Sequence, residues 1–189
     1  MNDRFFEAWI TRTWRVCGRK LQPLCLGHLV NLAAVSSPLL PYAEIDESTP
    51  VTVGDLLVAV RICSEGFPFR CQLKPRLIDV FWKWLLARSP KLFLHHARLF
   101  AAYRHDHCSS PEFWIDTEAQ NSSRSISAPI ALSKAAFLIS NSSLAEERVW
   151  SMPLGRVDFL IAAIEERKTG SVRFFDERCL LYTSPSPRD

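Results

Sequence analysis

The chain has 189 residues, of which 48% are hydrophobic and 23% are charged, and its 23 Lys and Arg against 20 Asp and Glu give a formal net charge of +3. This composition excludes long-range disorder, collagen-like and low-complexity classes, while the near balance of charge leaves no strong electrostatic argument for any partner. A chain of this length buries roughly 70% of the surface that it exposes when unfolded, so it can build a large core without disulfides.

The first half of the sequence has the apolar period of α-helices. The predicted helices span residues 3–17, 24–35 and 52–63. Asp3 caps the first of them, and Gly18 stands where that helix would end. Thr52 with Asp55 three residues later forms an approximate capping box for the third. Between the second and third helices, residues 39–50 predict a loop with an acidic cluster.

The second half has the same period. Further helices are predicted to begin at Pro75, at Ser89-Pro90, at Ala128, at Ser143 (with Glu146 as a capping box) and at Ser151, and the last of them ends at Gly170. In the helix that begins at Pro75, the residues expected to face the core are Leu77, Ile78, Phe81, Trp82, Leu85 and Leu86. Residues 105–127 predict a long loop, and residues 172–175 predict a short strand or a docking arm. The predicted fold class is all-α, one compact domain of about eight helices with no convincing strand pair.

The last eleven residues, Cys179 to Asp189, differ from the rest in composition. They resemble the in-frame translation of a sequencing adapter, and the resemblance implies a disordered tail that is left out of the fold prediction. The helical domain is accordingly expected to span residues 1–178, with five of the six cysteines.

Cysteine usage and hydropathy indicate the compartment. The five remaining cysteines are odd in number and irregularly spaced, which is typical of reduced thiols in a cytosolic protein. The N-terminus lacks the charged-then-apolar layout of a signal peptide, because Glu7 and Arg12 interrupt it. The longest stretch without charges, residues 21–43, contains three prolines and predicts no membrane span. A soluble, intracellular protein is expected.

Four of the five histidines crowd into one short region, and a cysteine follows them. The group is His95, His96, His105, His107 and Cys108. Histidine and cysteine are the ligands that zinc prefers, but the second close pair of a structural zinc site is missing, and adjacent helical residues point about 100° apart. The alternative is a polar helix end, where histidines lie near the last carbonyl groups. We expect no cofactor, and a metal-supported enzyme stays the third hypothesis for function.

Neither the cysteines nor the carboxylates form a catalytic pattern. No local signature surrounds any cysteine, and thiols on apolar helix stretches are typical of an inert core. The carboxylates at 44–47, 146–147 and 165–166 fall in a loop or on solvated helix faces, where nothing raises a pKa for acid–base work. The common nucleotide, zinc-protease and hydrolase motifs are absent from the sequence. The sequence therefore predicts a protein that is not an enzyme.

A basic strip lies around the end of the predicted first helix. It consists of Arg12, Arg15, Arg19 and Lys20, with Trp14 nearby, and no acidic residue lies between Glu7 and Glu44. A recognition helix for DNA has this character. The alternative is a solvated helix face, or a patch that pairs with the acidic cluster of the loop at residues 44–47.

Two apolar segments lie outside the periodic helices. They contain Phe113, Trp114 and Ile115 in the predicted loop, and Phe174 and Phe175 near the end of the domain. Exposed apolar patches generally mark binding sites, so these residues are the candidate surface for a helical protein partner or for self-association. The alternative is that both segments cap the core.

Four short motifs carry one family resemblance. They are Leu24-Cys-Leu-Gly-His-Leu29, Ser37-Pro-Leu39, Asp55-Leu-Leu-Val-Ala-Val-Arg-Ile-Cys63 and Met152-Pro-Leu-Gly155. Together they resemble small tail-region proteins of tailed phages, of the tail-assembly-chaperone-like kind. Spanning most of residues 5–175, the resemblance implies a helical, non-enzymatic protein that engages the tape measure protein during tail building, in the host cytoplasm or on the virion. It carries over no catalytic residue. A minor tail component is a variant of this function, and a small DNA-binding protein that uses the basic strip is the alternative.

Overall fold

A computed structural model describes residues 13–41, 50–66, 76–108 and 129–170, together with the backbone of two strands at 113–115 and 172–174. Within these ranges the chain forms seven helices and two small antiparallel sheets of two strands each. The predicted all-α class is therefore confirmed, with seven helices in the described residues where about eight were expected for the whole domain.

The helices are α1 (Leu26–Ala34), α2 (Val53–Ser64), α3 (Leu77–Arg88), α4 (Pro90–Cys108), α5 (Ile130–Asn141), α6 (Glu146–Ser151) and α7 (Leu154–Thr169). The strands are β1 (Arg15–Val16), β2 (Arg19–Lys20), β3 (Phe113–Ile115) and β4 (Val172–Phe174). β1 pairs with β2, and β3 pairs with β4.

The predicted first helix does not reach Cys17. β1 and β2 form a hairpin in which Val16 lies opposite Arg19. Cys17 and Gly18 have φ angles of 48° and 70°, and two successive positive φ values are typical of the tight type I′ turn that suits a twisted hairpin. Gly18, which the sequence predicts at the end of a helix, is thus the second central residue of a β-turn. The rest of that predicted helix, residues 3–12, lies outside the described residues.

Helix α2 begins as predicted and lies at the centre of the core. The backbone N–H of Asp55 donates to Thr52 Oγ1 over 3.2 Å, and the backbone N–H of Thr52 donates to Asp55 Oδ2 over 2.9 Å, which completes the capping box. Seven residues of the helix are buried: Leu56, Leu57, Ala59, Val60, Arg61, Ile62 and Cys63. Helices α1, α3 and α4 and strand β2 pack around it.

The starts of α1 and α7 meet in the core. Cys25 and Pro153 form an isolated antiparallel bridge, and the N–H of Leu154 donates to the carbonyl oxygen of Leu24 over 2.8 Å. Helix α7 ends at Gly170, as predicted, because this residue adopts a left-handed φ of 68°. The N-terminal ends of α1 and α7 are therefore joined through the main chain.

Two details of the second half differ from the prediction. The loop expected over residues 105–127 begins later, because α4 continues to Cys108, and β3 interrupts it. Phe100 and Tyr103 are each 1% exposed, and their burial holds the last turns of α4 against the core. Ser143 does not cap α6, which has Ala145 at its N-cap. The Ser142 hydroxyl instead accepts from the N–H of Leu144 and forms a local turn.

Candidate functional site

The described part of the basic strip belongs to the β1–β2 hairpin. Arg15 and Lys20 are cross-strand partners and both are exposed. Arg19 is turned into an ion pair, in which its Nη2 lies 2.6 Å from Asp79 Oδ1. Trp14 packs edge-on against Tyr103 instead of joining the strip. The prediction that a helix presents the basic strip is therefore wrong over residues 15–17, and Arg12 and the acidic loop at 44–47 lie outside the described residues.

The ion pair of Arg19 belongs to a charge network beneath α3. Arg61 is only 7% exposed, and its Nη1 lies 3.8 Å from Asp79 Oδ2 while its Nε lies 3.9 Å from Glu65 Oε1. Arg76 Nη2 lies 3.3 Å from the same Glu65 oxygen. Burial by itself would raise the pKa of Asp79, but hydrogen bonds from Arg76 and Arg19 and the charges of Arg19 and Arg61 lower it overall. The network joins the hairpin, α2 and α3.

The histidine and cysteine group is spread along one helix. His95 and His105 are ten residues apart on α4, which separates them by about 15 Å along the axis. His96 Nδ1 accepts from the N–H of Cys17 over 3.4 Å, and its ring meets Trp82 edge-on. His107 Nδ1 donates to the carbonyl oxygen of Tyr103 over 2.8 Å. Burial lowers the pKa of both His96 and His107. Among the described residues no group of three or more His, Cys, Asp or Glu could hold a metal ion.

His28 is a buried polar residue that the sequence analysis did not single out. It is 1% exposed, its Nδ1 accepts from the N–H of Cys25 over 3.3 Å, and its Nε2 donates to the carbonyl oxygen of Glu65 over 2.8 Å. These two bonds fix the neutral tautomer, and burial lowers the pKa of the ring. His28 thus links the start of α1 to the end of α2. Its position in the first turn of α1 is the one sequence signal that could have indicated this role.

Three of the four described cysteines are buried and poor nucleophiles. Cys17, Cys25 and Cys63 are each 3% exposed or less. Burial raises the pKa of Cys17 to about 12 and also raises the pKa of Cys25 and of Cys63. These thiols are therefore protonated at neutral pH, and the thiolate is the reactive form.

The two apolar segments expected to bind a partner pair with each other. In the antiparallel ladder of β3 and β4, Phe113 lies opposite Phe174, and Trp114 lies opposite Arg173. The sequence separates these partners by about sixty residues, so no local pattern predicts their contact. Phe175 lies outside the described residues.

A larger apolar surface lies on α3, on the side away from the core. Leu77 is 91% exposed, and Val80, Phe81 and Trp84 are each 56% exposed. We call these four residues the outward face of α3. Of the residues predicted to face the core, Leu86 is buried, whereas Leu77, Ile78 and Phe81 are exposed, which corrects the prediction for those three. The sequence signal was the composition of the helix, since only Asp79, Lys83 and Arg88 among its twelve residues are charged.

Comparisons with known proteins give no relative: no family model, no curated protein and no solved structure matches the chain. In the part of the chain that the structure describes, no helix is long and apolar enough to cross a membrane.

Proposed function

We propose that this chain is a non-enzymatic protein of phage tail assembly, which engages the tape measure protein as a chaperone or serves as a minor tail component. It would act in the host cytoplasm or on the virion. The resemblance of its four short motifs to tail-assembly-chaperone-like proteins is one support. A function in binding another protein has support of its own, from the surface of α3.

The outward face of α3 is the observation that carries the proposal. Soluble monomers rarely leave a contiguous group of large apolar side chains in water, and such groups generally mark a protein-binding site. A helix that is apolar on all sides is ordinarily covered on all sides. Leu77, Val80, Phe81 and Trp84 all lie on one helix, opposite the core residue Leu86. A partner protein that covers these side chains would remove this apolar surface from water.

The chemistry of the buried polar groups favours binding over catalysis. The pKa values of Cys17, Cys25 and Cys63 are raised, which makes each thiol a weak nucleophile at neutral pH. Both ring nitrogens of His28 are engaged with main-chain groups. These residues stabilise the fold, and that role supports the non-enzymatic part of the proposal.

Coexpression with the tape measure protein of the same phage genome tests the proposal. We expect the two proteins to copurify, and we expect the Trp84→Asp variant to lose the partner while it keeps its melting temperature, because Trp84 is already half exposed. The matched control is Leu132→Asp, which places the same charge on an exposed leucine of α5. A tape measure protein that fails to copurify with the parent chain would contradict this function.

DNA binding is the second candidate, and the exposed Arg15 and Lys20 of the hairpin favour it. If these residues contact phosphates, affinity for duplex DNA should fall steeply with salt, and changing both to Gln should flatten that dependence by about two contacts. Because Arg19 is paired with Asp79, its replacement would also disturb the fold. A parent chain that does not bind DNA at low salt removes this candidate.

A further inference from the structure

The outward face of α3 has the spacing that one helix presents to another. At about 100° per residue, Leu77, Phe81, Trp84 and Arg88 fall within roughly 60° of one another, and Val80 borders them. Positions i, i+4, i+7 and i+11 form a single stripe along three turns of the helix. Residues at this spacing make the contacts in helix-in-groove and coiled-coil complexes.

The opposite side of α3 is already occupied. Leu86 is 1% exposed, and the Trp82 ring lies against Gly18 of the hairpin and against His96 of α4. Asp79 on this side is held by Arg19 and Arg61. Rotation of α3 to bury its outward face would break all of these contacts. A partner must therefore bind the outward face with α3 in its present orientation.

On α3 itself, the charges that lie outside the network of Asp79 are basic. The Arg88 guanidinium lies 5.1 Å from the centre of the Trp84 ring, inside the stripe itself. Lys83 is exposed three residues after Val80, and the first half of α4, the next helix along the chain, carries the exposed Lys91 and Arg98. In α3 and the first half of α4, the only acidic residue is Asp79, which faces the network beneath the helix. An occupant with acidic side chains would match this surface.

We infer that the outward face of α3 binds an amphipathic helix whose apolar stripe is flanked by Asp or Glu. The inference rests on the proposed function in one respect, that the face binds a protein, and it adds the chemistry of the bound segment. A second copy of this chain fits less well. A two-fold pairing through α3 would place the Arg88 of each copy against the stripe of the other, where α3 offers no acidic residue to meet it, because Asp79 is held by Arg19.

The test uses the full chain and two synthetic peptides. The first is a helical 18-residue peptide with leucines at i, i+4, i+7 and i+11 and Glu at the flanking positions; the second is identical but has Lys in place of Glu. We expect the Glu peptide to bind at least about tenfold more tightly, and its affinity to fall several-fold between low and moderate salt, since surface charges are screened. Calorimetric titration measures both.

Three variants sharpen the test. Trp84→Asp should abolish binding of the Glu peptide, because it places a charge in the apolar stripe. Lys83→Glu combined with Arg88→Glu should reverse the preference, so that the Lys peptide binds more tightly. Leu132→Asp, on an exposed part of α5, should leave both affinities unchanged.

Several results would overturn the inference. They are equal affinity for the two peptides, no binding of either peptide, a dimer of the parent chain that Trp84→Asp dissociates, and binding to anionic lipid vesicles in preference to the Glu peptide. Copurification with the tape measure protein is measured separately. If the chain forms a Trp84-dependent complex with the tape measure protein but binds both peptides equally, the acidic character of the bound helix is refuted and the tail-assembly function stands. If the chain binds the Glu peptide selectively but forms no such complex, the tail-assembly function is refuted and the inference about the acidic helix stands.

Discussion

Asp79 has two roles that separate experiments can distinguish. It accepts from the backbone N–H of Arg76 over 3.1 Å and so caps α3, and it neutralises Arg19 and the buried Arg61. Asp55 has the capping role in α2, where it accepts from Thr52. Asp55 only caps its helix, whereas Asp79 caps its helix and also pairs with Arg19 and Arg61. Comparing variants of the two residues therefore separates the capping contribution from the ion-pair contribution.

We expect Asp79→Ala to lower the free energy of unfolding by about 3 kcal/mol, because it removes a cap and leaves a buried guanidinium poorly paired. Asp55→Ala should cost about 1 kcal/mol, the value of the cap alone. Urea denaturation measures both. Because the pKa of Asp79 is lowered in the folded chain, its contribution is present above the unfolded value near 3.9 and is lost as the pH falls through the folded value. Equal costs for the two variants at neutral pH would contradict a stabilising network.

His28 makes the stability of the fold depend on pH. Its pKa is lowered in the folded chain by burial, so between the folded and unfolded pKa values the unfolded chain binds more protons. Stability should be full above about pH 6.5 and should decline as the pH falls toward the folded value. We expect His28→Gln to show a smaller decline between pH 7.5 and pH 5.5 than the parent. A parent whose unfolding free energy is constant over this range would refute the prediction.

At the scale of the elements, three glycines test the geometry of the turns. Gly18 has a φ of 70°, and a Cβ there would lie 3.1 Å from Trp82 Nε1. Gly170 has a φ of 68° with nothing within 4 Å of an added Cβ, and Gly54 has neither a positive φ nor a close contact. We expect Gly170→Ala to cost about 1 kcal/mol, Gly18→Ala to cost more because of the contact, and Gly54→Ala to stabilise by a few tenths. Thermal unfolding ranks the variants, and equal costs at Gly18 and Gly170 would exclude the contact with Trp82.

The elements that the sequence predicted well are those with local signals. The capping box of Thr52 and Asp55 and the closing Gly170 each depend on residues within four positions of one another. The β1–β2 hairpin was missed because its strands have two residues each, and its turn contains Cys17 where asparagine or aspartate is typical. Contacts with His96 and Asp79, which are far away in sequence, decide the conformation of this segment.

The orientation of α3 could not be predicted from its own residues. Nine of its twelve side chains are apolar, so the helix offers two apolar sides and the period does not choose between them. The choice is made by Arg19 and Gly18 of the hairpin, which contact Asp79 and Trp82. Since the sequence predicts a helix where β1 forms, the outward face of α3 could not be identified from the sequence.

At the scale of the whole molecule, the β3–β4 ladder joins parts of the chain that lie about sixty residues apart. Such a pairing costs loop-closure entropy, which further contacts must offset. Helix α7 packs against β4 and against α4 and α5. The ladder therefore lies at the end of a chain of contacts that leads to the core, and this favours a structural role for the two apolar segments over a separate docking role.

The double variant Trp114→Ser and Phe174→Ser tests that role. Serine removes aromatic residues from both strands of the ladder, and cross-strand pairs contribute up to about 1 kcal/mol each. In a chain of this size we expect the melting temperature to fall by several degrees, because about 1 kcal/mol corresponds to roughly 2–4 °C. Affinity for the Glu peptide should be unchanged, since that peptide binds α3. An unchanged melting temperature with loss of the tape measure complex would instead show that these strands are the docking site.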